Sequence, residues 1–418
     1  MLAQKSNANK SLVLGRDTRI SGDMLEAALV AGICSAGVDV YDVGVLPTPA
    51  IAHLTDALGT AGGVVISASH NPVEDNGIKF FGPSGHKLPD ALEDEIEGYM
   101  EDPAGIPMPV GGAVGRRFMQ EDAEDRYSEF LLATARADLA GDDLSGMKVV
   151  LDCANGASYR VAPRVIAALG AEVIAIHHTP DGVNINAQCG STHPQSLIEK
   201  VVACGADLGL AFDGDADRML AVDAHGQLVD GDQIMVICAR YLKEKGLLPQ
   251  DTVVVTVMSN LGLHLALQDC GIRVLQTKVG DRYVLEECLK SGAAFGGEQS
   301  GHILFLQHNT TGDGLLTGLK LLTVIRESGK TLAALAAQME RLPQILKNVK
   351  VENKQAVMNS QILQEAILHQ EERLKGQGRI LVRPSGTESL VRVMAEGRDL
   401  QELEHIIDEL TKLVQDIA

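Results

Sequence analysis

Residues 11–44 read SLVLGRDTRISGDMLEAALVAGICSAGVDVYDVG, which is a short apolar strand, a glycine-containing turn, an amphipathic helix and a second strand. The same order returns twice, with apolar strands that begin near Met147 and Thr252, each followed by a helix and another strand. Such alternation is typical of largely parallel sheets that are covered by helices. We therefore predict an α/β protein that contains three similar βα-repeat domains with mixed sheets.

The length of 418 residues is too great for a single hydrophobic core and indicates several domains. Near the C-terminus, two predicted strands are followed by a helix that begins at Leu400, which indicates a smaller α+β domain. The apolar residues of this helix recur at helical spacing: Leu403, Ile406, Ile407, Leu410, Leu413 and Val414. We predict four domains, at residues 1–143, 144–247, 248–347 and 348–418.

The composition excludes several classes of function. A net charge of −20 argues against binding to nucleic acid or to an anionic membrane surface, because both require basic surface. No apolar run reaches the ~20 residues that a membrane-spanning helix needs. The seven cysteines are scattered singly without a CxxC pair, which predicts a reduced, cytoplasmic protein and no zinc site of the usual spacing.

The first candidate for chemistry follows the predicted strand Gly62–Ser67. The chain continues Ala68-Ser-His-Asn-Pro72 and places Ser69 and His70 just beyond the C-terminal end of a strand, where ligand sites of α/β sheets occur. A serine becomes a nucleophile only when it is activated or carries a transferable group. The alternative is a serine and asparagine turn that satisfies its own backbone.

The second candidate is Asp213-Gly-Asp-Ala-Asp-Arg218, directly after another apolar strand. Three crowded carboxylates repel one another and raise one another's pKa, and a divalent cation removes that conflict. Ligands that are all oxygen favour Mg²⁺ over zinc. A calcium loop of the EF-hand type does not fit, because its sixth position is Arg218 and its twelfth is Ala224. A solvated turn is the remaining alternative.

Two further loops carry polar groups that suit a phosphorylated sugar. In Gly297-Glu-Gln-Ser-Gly-His302, the Glu298 and Ser300 side chains could pair with sugar hydroxyls. The segment Arg383-Pro-Ser-Gly-Thr-Glu388, with Arg392 after it, combines hydroxyls, loop N–H groups and arginines into a phosphate cradle. An ordinary capped turn is the alternative for each loop. Phosphoryl transfer on a phosphosugar would use all four loops.

These motifs, in this order and spacing, resemble the α-D-phosphohexomutases over nearly the whole chain from Leu12. The matching segments are Gly15–Gly22, Ser67–Pro72, Asp213–Arg218, Gly297–His302 and Arg383–Glu388. The segments 184–193, Lys278–Tyr283 and 310–314 resemble the branch of the family that acts on glucosamine phosphate. The resemblance implies four domains around a central cleft, of which the fourth is similar to the TATA-binding protein fold.

The resemblance also implies an intramolecular phosphotransferase. It would convert glucosamine 6-phosphate to glucosamine 1-phosphate through a phosphorylated Ser69 and a 1,6-bisphosphate, which also serves as activator, in the synthesis of amino-sugar nucleotides and cell-wall precursors. The implied catalytic residues are Ser69, His70, Lys79 and Arg218, and the implied Mg²⁺ ligands are Ser69, Asp213, Asp215 and Asp217. Sugar-binding roles fall on Glu298, Ser300, Lys278, Gly280 and Asp281, and phosphate-binding roles on Arg383, Ser385, Gly386, Thr387 and Arg392.

The chain departs from the family pattern at its start, where polar residues 1–10 stand in place of the usual first strand, loop and helix. We interpret this as a shortened start of the first domain. The remaining alternatives are a mutase for glucose or mannose phosphates, an inactive phosphosugar-binding protein, and a metal-dependent phosphatase. A homodimer is the expected assembly, with the phosphosugar as the small-molecule partner.

Overall fold

The computed structural model of the chain describes residues 9–101, 105–374, 377–385 and 389–417. The backbone packs into two compact units, of which the first is Met1–Met258 with Cys270–Gln338 and the second is Ser259–Asp269 with Met339–Ala418. The three βα repeats provide the sheets of the first unit. The three domain boundaries at residues 143, 247 and 347 stay a prediction.

The first repeat forms a five-stranded sheet in the order β4-β3-β1-β2-β5. Strand β1 pairs in parallel with β2 and β3, and β3 pairs antiparallel with β4. The elements in chain order are β1 (Asn9–Arg16), α1 (Ser21–Ser35), β2 (Asp39–Val45), α2 (Thr48–Ala57), β3 (Thr60–Ile66), β4 (Ile78–Phe81), α3 (Asp90–Glu101), β5 (Arg117–Met119) and α4 (Ala123–Leu139).

The second repeat forms a sheet in the order β10-β9-β8-β6-β7. Its first strand, β6, pairs in parallel with β7 and β8, and β8 pairs antiparallel with β9. The elements are β6 (Lys148–Asp152), α5 (Val161–Ala168), β7 (Glu172–Ile176), α6 (Gln195–Cys204), β8 (Leu208–Phe212), β9 (Met219–Asp223), β10 (Leu228–Val229) and α7 (Gly231–Glu244).

The third repeat forms a sheet in the order β12-β11-β13-β14. Strand β11 pairs in parallel with β12 and β13, and β13 pairs antiparallel with β14. The elements from here to residue 336 are β11 (Thr252–Thr256), α8 (Leu261–Asp269), β12 (Arg273–Thr277), α9 (Asp281–Ser291), β13 (Phe295–Gly297), β14 (Ile303–Phe305), α10 (Gly314–Ser328) and α11 (Leu332–Ala336).

The strand order confirms the predicted repeat and its mixed sheets. In each copy the first strand is flanked by the second and the third, and the fourth forms an antiparallel hairpin with the third. The residues predicted to carry chemistry lie at the same place in each copy, because Ser69, Asp213–Asp217 and Glu298 all follow the third strand. The repeat therefore produces three equivalent hairpin loops, one from each sheet.

The second unit is the predicted α+β element of the fold. Its antiparallel sheet has the order β15-β17-β16. The predicted apolar face of the last helix is confirmed, since Leu403, Ile406 and Leu410 are buried in the core of this unit. Besides α8, the elements are β15 (Gln344–Lys350), α12 (Lys354–Met358), α13 (Gln361–Leu374), β16 (Gly378–Pro384), β17 (Leu390–Gly397) and α14 (Leu400–Ile417).

Two general properties can be checked on the described residues. The seven cysteines are all free thiols, and four of them are buried. Across the ranges that the structure describes, none of the helices combines the length and the apolar character needed to cross a bilayer.

Candidate active site

The three equivalent hairpin loops meet at the carboxylates of one loop. We call residues 67–72 the serine loop and residues 213–218 the aspartate loop. The Ser69 hydroxyl of the first repeat donates to Asp213 Oδ2 at 2.6 Å. From the third repeat, the His302 Nδ1 atom lies 3.6 Å from Asp217 Oδ2. The predicted serine and the predicted metal loop, 144 residues apart in sequence, are therefore direct neighbours.

The serine loop is held by a buried arginine that carries no predicted role. The Arg19 side chain is fully buried, and its Nη2 donates to the carbonyl oxygens of Ser69 and Asn71 at 3.1 and 2.8 Å. Its Nη1 donates to the carbonyl of Asp75 at 3.0 Å and to that of Pro72. A guanidinium is suited to this position because it presents several donors in one rigid plane.

The second repeat also holds the serine loop in place. The Asn186 side-chain amide donates to the carbonyls of Ser69 and Asn71 at 2.8 and 3.0 Å, which are two of the carbonyls that Arg19 also binds. Ser69 has a φ of +52°, in the left-handed region that non-glycine residues rarely adopt. Arg19 and Asn186 together donate four hydrogen bonds to the carbonyls of Ser69 and Asn71. These bonds fix the Ser69 backbone in a conformation that a serine would not favour alone.

The charge of the buried guanidinium is balanced locally. Asp17 Oδ2 lies 2.9 Å from Arg19 Nε and accepts the Ser67 hydroxyl at 2.6 Å. Burial raises the pKa of the Asp17 carboxyl, although the hydrogen bond from Ser67 and the charge of Arg19 act in the opposite direction. The Ser67 hydroxyl oxygen in turn accepts the Ser69 backbone N–H at 3.0 Å. Ser67 therefore links the Asp17–Arg19 ion pair to the backbone of the serine loop.

The aspartate loop carries three buried carboxylates with few donors. Asp215 Oδ2 accepts the Thr48 hydroxyl at 2.6 Å and the Lys79 ammonium at 2.7 Å. The same ammonium lies 3.6 Å from Asp217 Oδ2. Burial would lower the pKa of Lys79, but the charges of Asp215 and Asp217 outweigh it and raise the pKa well above its usual value. Lys79 is therefore a fixed positive charge beside the carboxylates.

The pKa values of Asp213 and Asp217 are shifted in opposite directions. Burial, with the charges of Asp217 and Asp215, raises the pKa of Asp213 well above its usual value. Burial would also raise the pKa of Asp217, but Lys79 and His302 reverse the effect and lower it well below its usual value. Burial and the repulsion predicted from sequence therefore act together on Asp213, the carboxylate that the Ser69 hydroxyl contacts.

The loop fits a divalent cation. Carboxylate oxygens of Asp213, Asp215 and Asp217 all lie within 4.8 Å of one another. Among the residues that the structure describes, the Oδ1 atoms of Asp215 and Asp217 are buried without a hydrogen-bond donor. A buried carboxylate oxygen without a donor is costly unless a cation is bound to it. The donor set contains only oxygen, which suits Mg²⁺.

His70 lies at the outer edge of the serine loop. Its Nδ1 atom is 3.0 Å from Arg218 Nη1 and 3.5 Å from the Ser69 hydroxyl. Burial and the Arg218 guanidinium lower the pKa of His70. Because a guanidinium only donates, Nδ1 must be the accepting nitrogen of a neutral imidazole. Arg218 also donates its backbone N–H to Asp213 Oδ1 at 3.1 Å.

The predicted sugar-binding residues lie in two loops that the structure brings together. Glu298 Oε1 accepts the Gly280 backbone N–H at 3.0 Å, and Ser300 is exposed. Asp281 is already engaged, since it forms an ion pair with Lys87 and its Oδ2 lies 3.6 Å from His302. The Lys278 ammonium lies 6.0 Å from the centre of the Tyr283 ring.

In the second unit, the predicted phosphate-binding arginines are cross-strand partners. Arg383 of β16 pairs directly with Arg392 of β17, so the two side chains lie on one face of the sheet. Burial and the charge of Arg392 lower the pKa of Arg383. Ser385 is buried and its carbonyl accepts from Lys354 at 2.7 Å. Gly386 and Thr387 lie outside the described residues.

Sequence reasoning did not assign the residues that hold the loops. Arg19 and His302 lie inside the segments that resemble the family, and Asn186 lies in the segment 184–193 that resembles one of its branches. Thr48 stands in no motif at all. Arg19 and Asn186 lie 50 and 117 residues from Ser69 in sequence, so no local pattern assigns them to the serine loop.

Comparison with known families extends over almost the whole chain. Residues 1–104 match "Phosphoglucomutase/phosphomannomutase, alpha/beta/alpha domain I", and the corresponding domains II and III match at 125–226 and 230–342. The C-terminal domain of the same family matches at 346–413. The four matches cover more than half of the chain.

Curated relatives are similar over the same length. The chain is 66% identical to the phosphoglucosamine mutase of Desulforamulus reducens over 410 residues, which is 98% of this chain and 91% of the relative. It is also 66% identical to the phosphoglucosamine mutase of Pelotomaculum thermopropionicum, covering 100% of this chain and 93% of the relative.

Solved structures show the same fold. A phosphoglucomutase/phosphomannomutase family protein from Burkholderia thailandensis has a TM-score of 0.81 at 24% identity, covering 99% of this chain and 91% of that one. N-acetylphosphoglucosamine mutase from Aspergillus fumigatus, solved in complex with GlcNAc-6P and magnesium, has a TM-score of 0.70 at 20% identity, covering 88% and 92%.

Proposed function

The chain belongs to the phosphoglucomutase/phosphomannomutase family, and from that premise we propose that it interconverts glucosamine 6-phosphate and glucosamine 1-phosphate. It is an enzyme of the isomerase class, an intramolecular phosphotransferase. The substrate follows from relatives at 55–66% identity across nearly the full chain, all of which are phosphoglucosamine mutases. The product would enter amino-sugar nucleotide and cell-wall precursor synthesis.

One observation supports the mechanism most directly. The Ser69 hydroxyl contacts Asp213 at 2.6 Å, inside a set of three buried carboxylates that have too few donors. A serine beside three carboxylates is a poor general nucleophile, because negative charge on its oxygen would be repelled. The same serine suits a phosphoryl carrier, because the phosphate brings oxygen atoms that can share a cation with the carboxylates.

The proposed cycle has two transfers with Ser69 as the carrier. In the first, the bond between Ser69 Oγ and phosphorus breaks and the sugar O1 forms the new bond, which gives a 1,6-bisphosphate. In the second, Ser69 Oγ takes the phosphoryl group from O6 and leaves the 1-phosphate. Phosphate is conserved in the cycle, and the bisphosphate also serves as the activator that phosphorylates an empty Ser69.

Asp213, Asp215, Asp217 and the Ser69 side chain are proposed to hold one Mg²⁺. When bound, this ion supplies positive charge that stabilises the transferring phosphoryl oxygens. Lys79 and Thr48 hold the Asp215 carboxylate in place, and His302 lies against Asp217. Arg218 is proposed to contact the phosphate on Ser69, because its backbone is fixed to the neighbouring Asp213.

His70 and Lys79 are proposed to assist the transfer in different ways, because their pKa values are shifted in opposite directions. The lowered pKa of His70 keeps its imidazole neutral near pH 7, which suits a base that accepts the proton of the attacking sugar hydroxyl. The raised pKa of Lys79 keeps it an ammonium, which suits a fixed positive charge beside the transferring phosphoryl group, because a group with a raised pKa releases its proton less readily. The two shifts therefore assign proton transfer to His70 and charge stabilisation to Lys79.

Binding of the sugar is assigned to two loops. We propose that Glu298 and Ser300, with Lys278, Gly280 and Asp281, contact the sugar. We propose that Arg383, Ser385, Gly386, Thr387 and Arg392 bind the phosphate that is not reacting. Two arginines placed opposite each other on neighbouring strands repel, and a bound phosphate would relieve that repulsion. A homodimer stays a prediction.

The substrate is tested by incubating the protein with Mg²⁺, a hexose 1,6-bisphosphate and each of glucosamine, glucose and mannose 6-phosphate in turn. Phosphorus NMR should show the 1-phosphate, with glucosamine phosphate converted fastest. Faster conversion of glucose or mannose phosphate would overturn the substrate assignment. Release of inorganic phosphate would identify a phosphatase instead.

The carrier is tested by mass spectrometry after the same incubation. A phosphoryl group on the peptide that contains Ser69 is expected. Conversion of the substrate without any modification of Ser69, or with modification of another residue, would overturn the phosphoserine cycle.

A further inference from the structure

A second polar cluster lies at the ends of two neighbouring strands of the second sheet. Asp152 ends β6, His177 follows β7, and Cys189 lies in the loop that leads to α6. An Asp152 oxygen, a His177 ring nitrogen and the Cys189 sulfur all lie within 4.8 Å of one another. None of these residues contributes to the serine loop or the aspartate loop. The mechanism proposed above makes no use of them.

The cluster is enclosed and incompletely paired. The Asp152 and Cys189 side chains are 0% exposed, whereas His177 is 30% exposed. The His177 Nδ1 atom lies 3.1 Å from Asp152 Oδ1, yet it is buried and has no hydrogen-bond partner of good geometry in the described ranges. This ring nitrogen therefore faces the Asp152 carboxylate, and a cation between the two groups could bind both.

The carboxylate of the cluster is fixed in orientation. Asp152 Oδ1 accepts the Ala154 backbone N–H at 2.9 Å, and Oδ2 accepts the Gly190 backbone N–H at 2.9 Å. A carboxylate has about four lone-pair sites, so one bond to each oxygen leaves further acceptor positions open. Backbone hydrogen bonds of this kind orient ligands around a metal and are part of a working metal site.

We propose that Asp152, His177 and Cys189 form a binding site for a thiophilic divalent cation of the Zn²⁺ type. One thiolate, one imidazole nitrogen and one carboxylate oxygen are the ligand types that zinc accepts. Three protein ligands leave the fourth tetrahedral position for a water molecule, which enters on the exposed side of His177. Binding releases the Cys189 thiol proton to solvent, because only the thiolate is a ligand.

The site and the aspartate loop select different metals. A thiolate ligand excludes Mg²⁺, whereas the Asp213 set contains only oxygen. A tetrahedral zinc site has ligand atoms about 3.3–3.8 Å apart, given bonds of about 2.0–2.3 Å. The present spacing of up to 4.8 Å therefore requires movements of about 1 Å or less. The absence of a CxxC pair does not exclude this site, because its ligands come from three separate segments.

The location connects the site to the serine loop. Cys189 lies three residues after Asn186, whose amide holds the carbonyls of Ser69 and Asn71. Asn186 and Gln188 both have φ values in the left-handed region. A metal that joins Cys189 to the strand ends at Asp152 and His177 would tie down the segment that carries Asn186.

The test uses Co²⁺ as a spectroscopic probe on the full chain, with Mg²⁺ in excess to occupy all-oxygen sites. We expect one equivalent of Co²⁺ to give intense visible bands of a tetrahedral ion and a near-ultraviolet band from thiolate-to-cobalt charge transfer. Added Zn²⁺ should remove both bands. The Cys189→Ser variant should lose the charge-transfer band, and His177→Gln should weaken binding at least about tenfold.

Two matched variants separate this site from others. Cys288→Ser removes another buried thiol, and Asp213→Asn alters the aspartate loop, so both should keep the wild-type spectrum. The proposal is overturned if no charge-transfer band appears with millimolar Co²⁺, or if the band survives in Cys189→Ser. Loss of the band in Asp213→Asn would likewise overturn it. Wild-type circular dichroism of the Cys189→Ser protein excludes misfolding as the cause.

Discussion

The serine loop and the aspartate loop occupy equivalent positions in two copies of one βα repeat, yet they are stabilised in opposite ways. The serine loop presents carbonyl oxygens inward, and the buried side chains of Arg19 and Asn186 supply donors for them. The aspartate loop presents three carboxylates, and two of their buried oxygens have no donor among the described residues.

This difference indicates which loop depends on a ligand. The serine loop has its own positive charge in Arg19, paired with Asp17. Beside the three carboxylates of the aspartate loop lie Lys79, Arg218 and His302, and burial with the neighbouring carboxylates still raises the pKa of Asp213. The contacts of the serine loop are therefore supplied by the protein itself, whereas the carboxylates of the aspartate loop fit a cation.

The largest expected effect is on catalysis by the serine loop. Replacing Ser69 with Ala removes the proposed carrier oxygen and should lower kcat by at least about 10³-fold. The unfolding free energy should change by only about 1 kcal/mol, because one hydrogen bond to Asp213 is lost. Steady-state kinetics and chemical denaturation measure the two quantities. Activity within tenfold of the wild type would show that the carrier is elsewhere.

The next largest effect is expected on stability, when the buried Arg19 charge beside the serine loop is removed. Arg19→Met should lower the unfolding free energy by about 3–5 kcal/mol, because it leaves the Asp17 carboxylate buried without its partner. The double variant Asp17→Asn with Arg19→Met should recover part of that loss. Denaturation followed by circular dichroism is the measurement. If Arg19→Met were as stable as the wild type, the serine loop would not depend on the buried Arg19 charge.

Much of the fold is predictable from residue patterns, because amphipathic helices and buried strands leave periodic signals. The helix Leu400–Ile417 was predicted from its apolar spacing for this reason. The helix Gly314–Ser328 was not identified. Its residues are buried on every side from Gly314 to Ile325, so it has no polar face and no amphipathic period.

The candidate site was predictable only where the chemistry is local in sequence. Three alternating aspartates indicate a cation by themselves, and the structure places their oxygens together. The partners of the serine loop were not predictable, because Arg19 and Asn186 lie 50 and 117 residues from Ser69. The packing of the repeats determines which carbonyl a distant side chain binds. No local sequence pattern predicts that contact.

Mg²⁺ tests the dependence of the aspartate loop on a ligand. At about 100 times its dissociation constant, an ion that binds only the folded state stabilises it by about 2.7 kcal/mol. A thermal shift should therefore appear in the wild type and disappear in Asp215→Asn. The exposed Glu74→Gln variant removes a nearby carboxylate outside the loop and should keep the shift. An equal shift in Asp215→Asn would place the ion elsewhere.

A smaller effect is expected from the hydrogen bonds that Asn186 of the second repeat donates to the serine loop. Asn186→Ala removes two hydrogen bonds while Arg19 still holds the same carbonyls, so kcat should fall by the equivalent of about 1–2 kcal/mol. Asn186→Asp should be worse despite its similar shape, because its oxygens would face carbonyl oxygens. KM should change little in either variant.

The control lies in the same segment. Asn184 donates to the Thr179 carbonyl at 3.1 Å, so Asn184→Ala perturbs the segment without removing a donor to the serine loop. Its kcat should stay near the wild type. If Asn184→Ala and Asn186→Ala lower kcat equally, the segment acts through general stability and the grip on Ser69 has no separate role.

The smallest effect is a shift in the titration of His70, the group at which the two loops meet. Burial and the guanidinium of Arg218 lower its pKa, so NMR titration of the imidazole should give a value below 6.5, the value of an unperturbed histidine. At pH 7 the ring is then mostly neutral and able to accept a proton. Arg218→Gln removes the nearby positive charge, so the pKa should rise towards the ordinary value, while His70→Gln identifies the resonance. A His70 pKa above 6.5 in the wild type would mean that the negative charges of the aspartate loop outweigh burial and the Arg218 guanidinium at His70. The charge of each loop would then not be balanced within that loop.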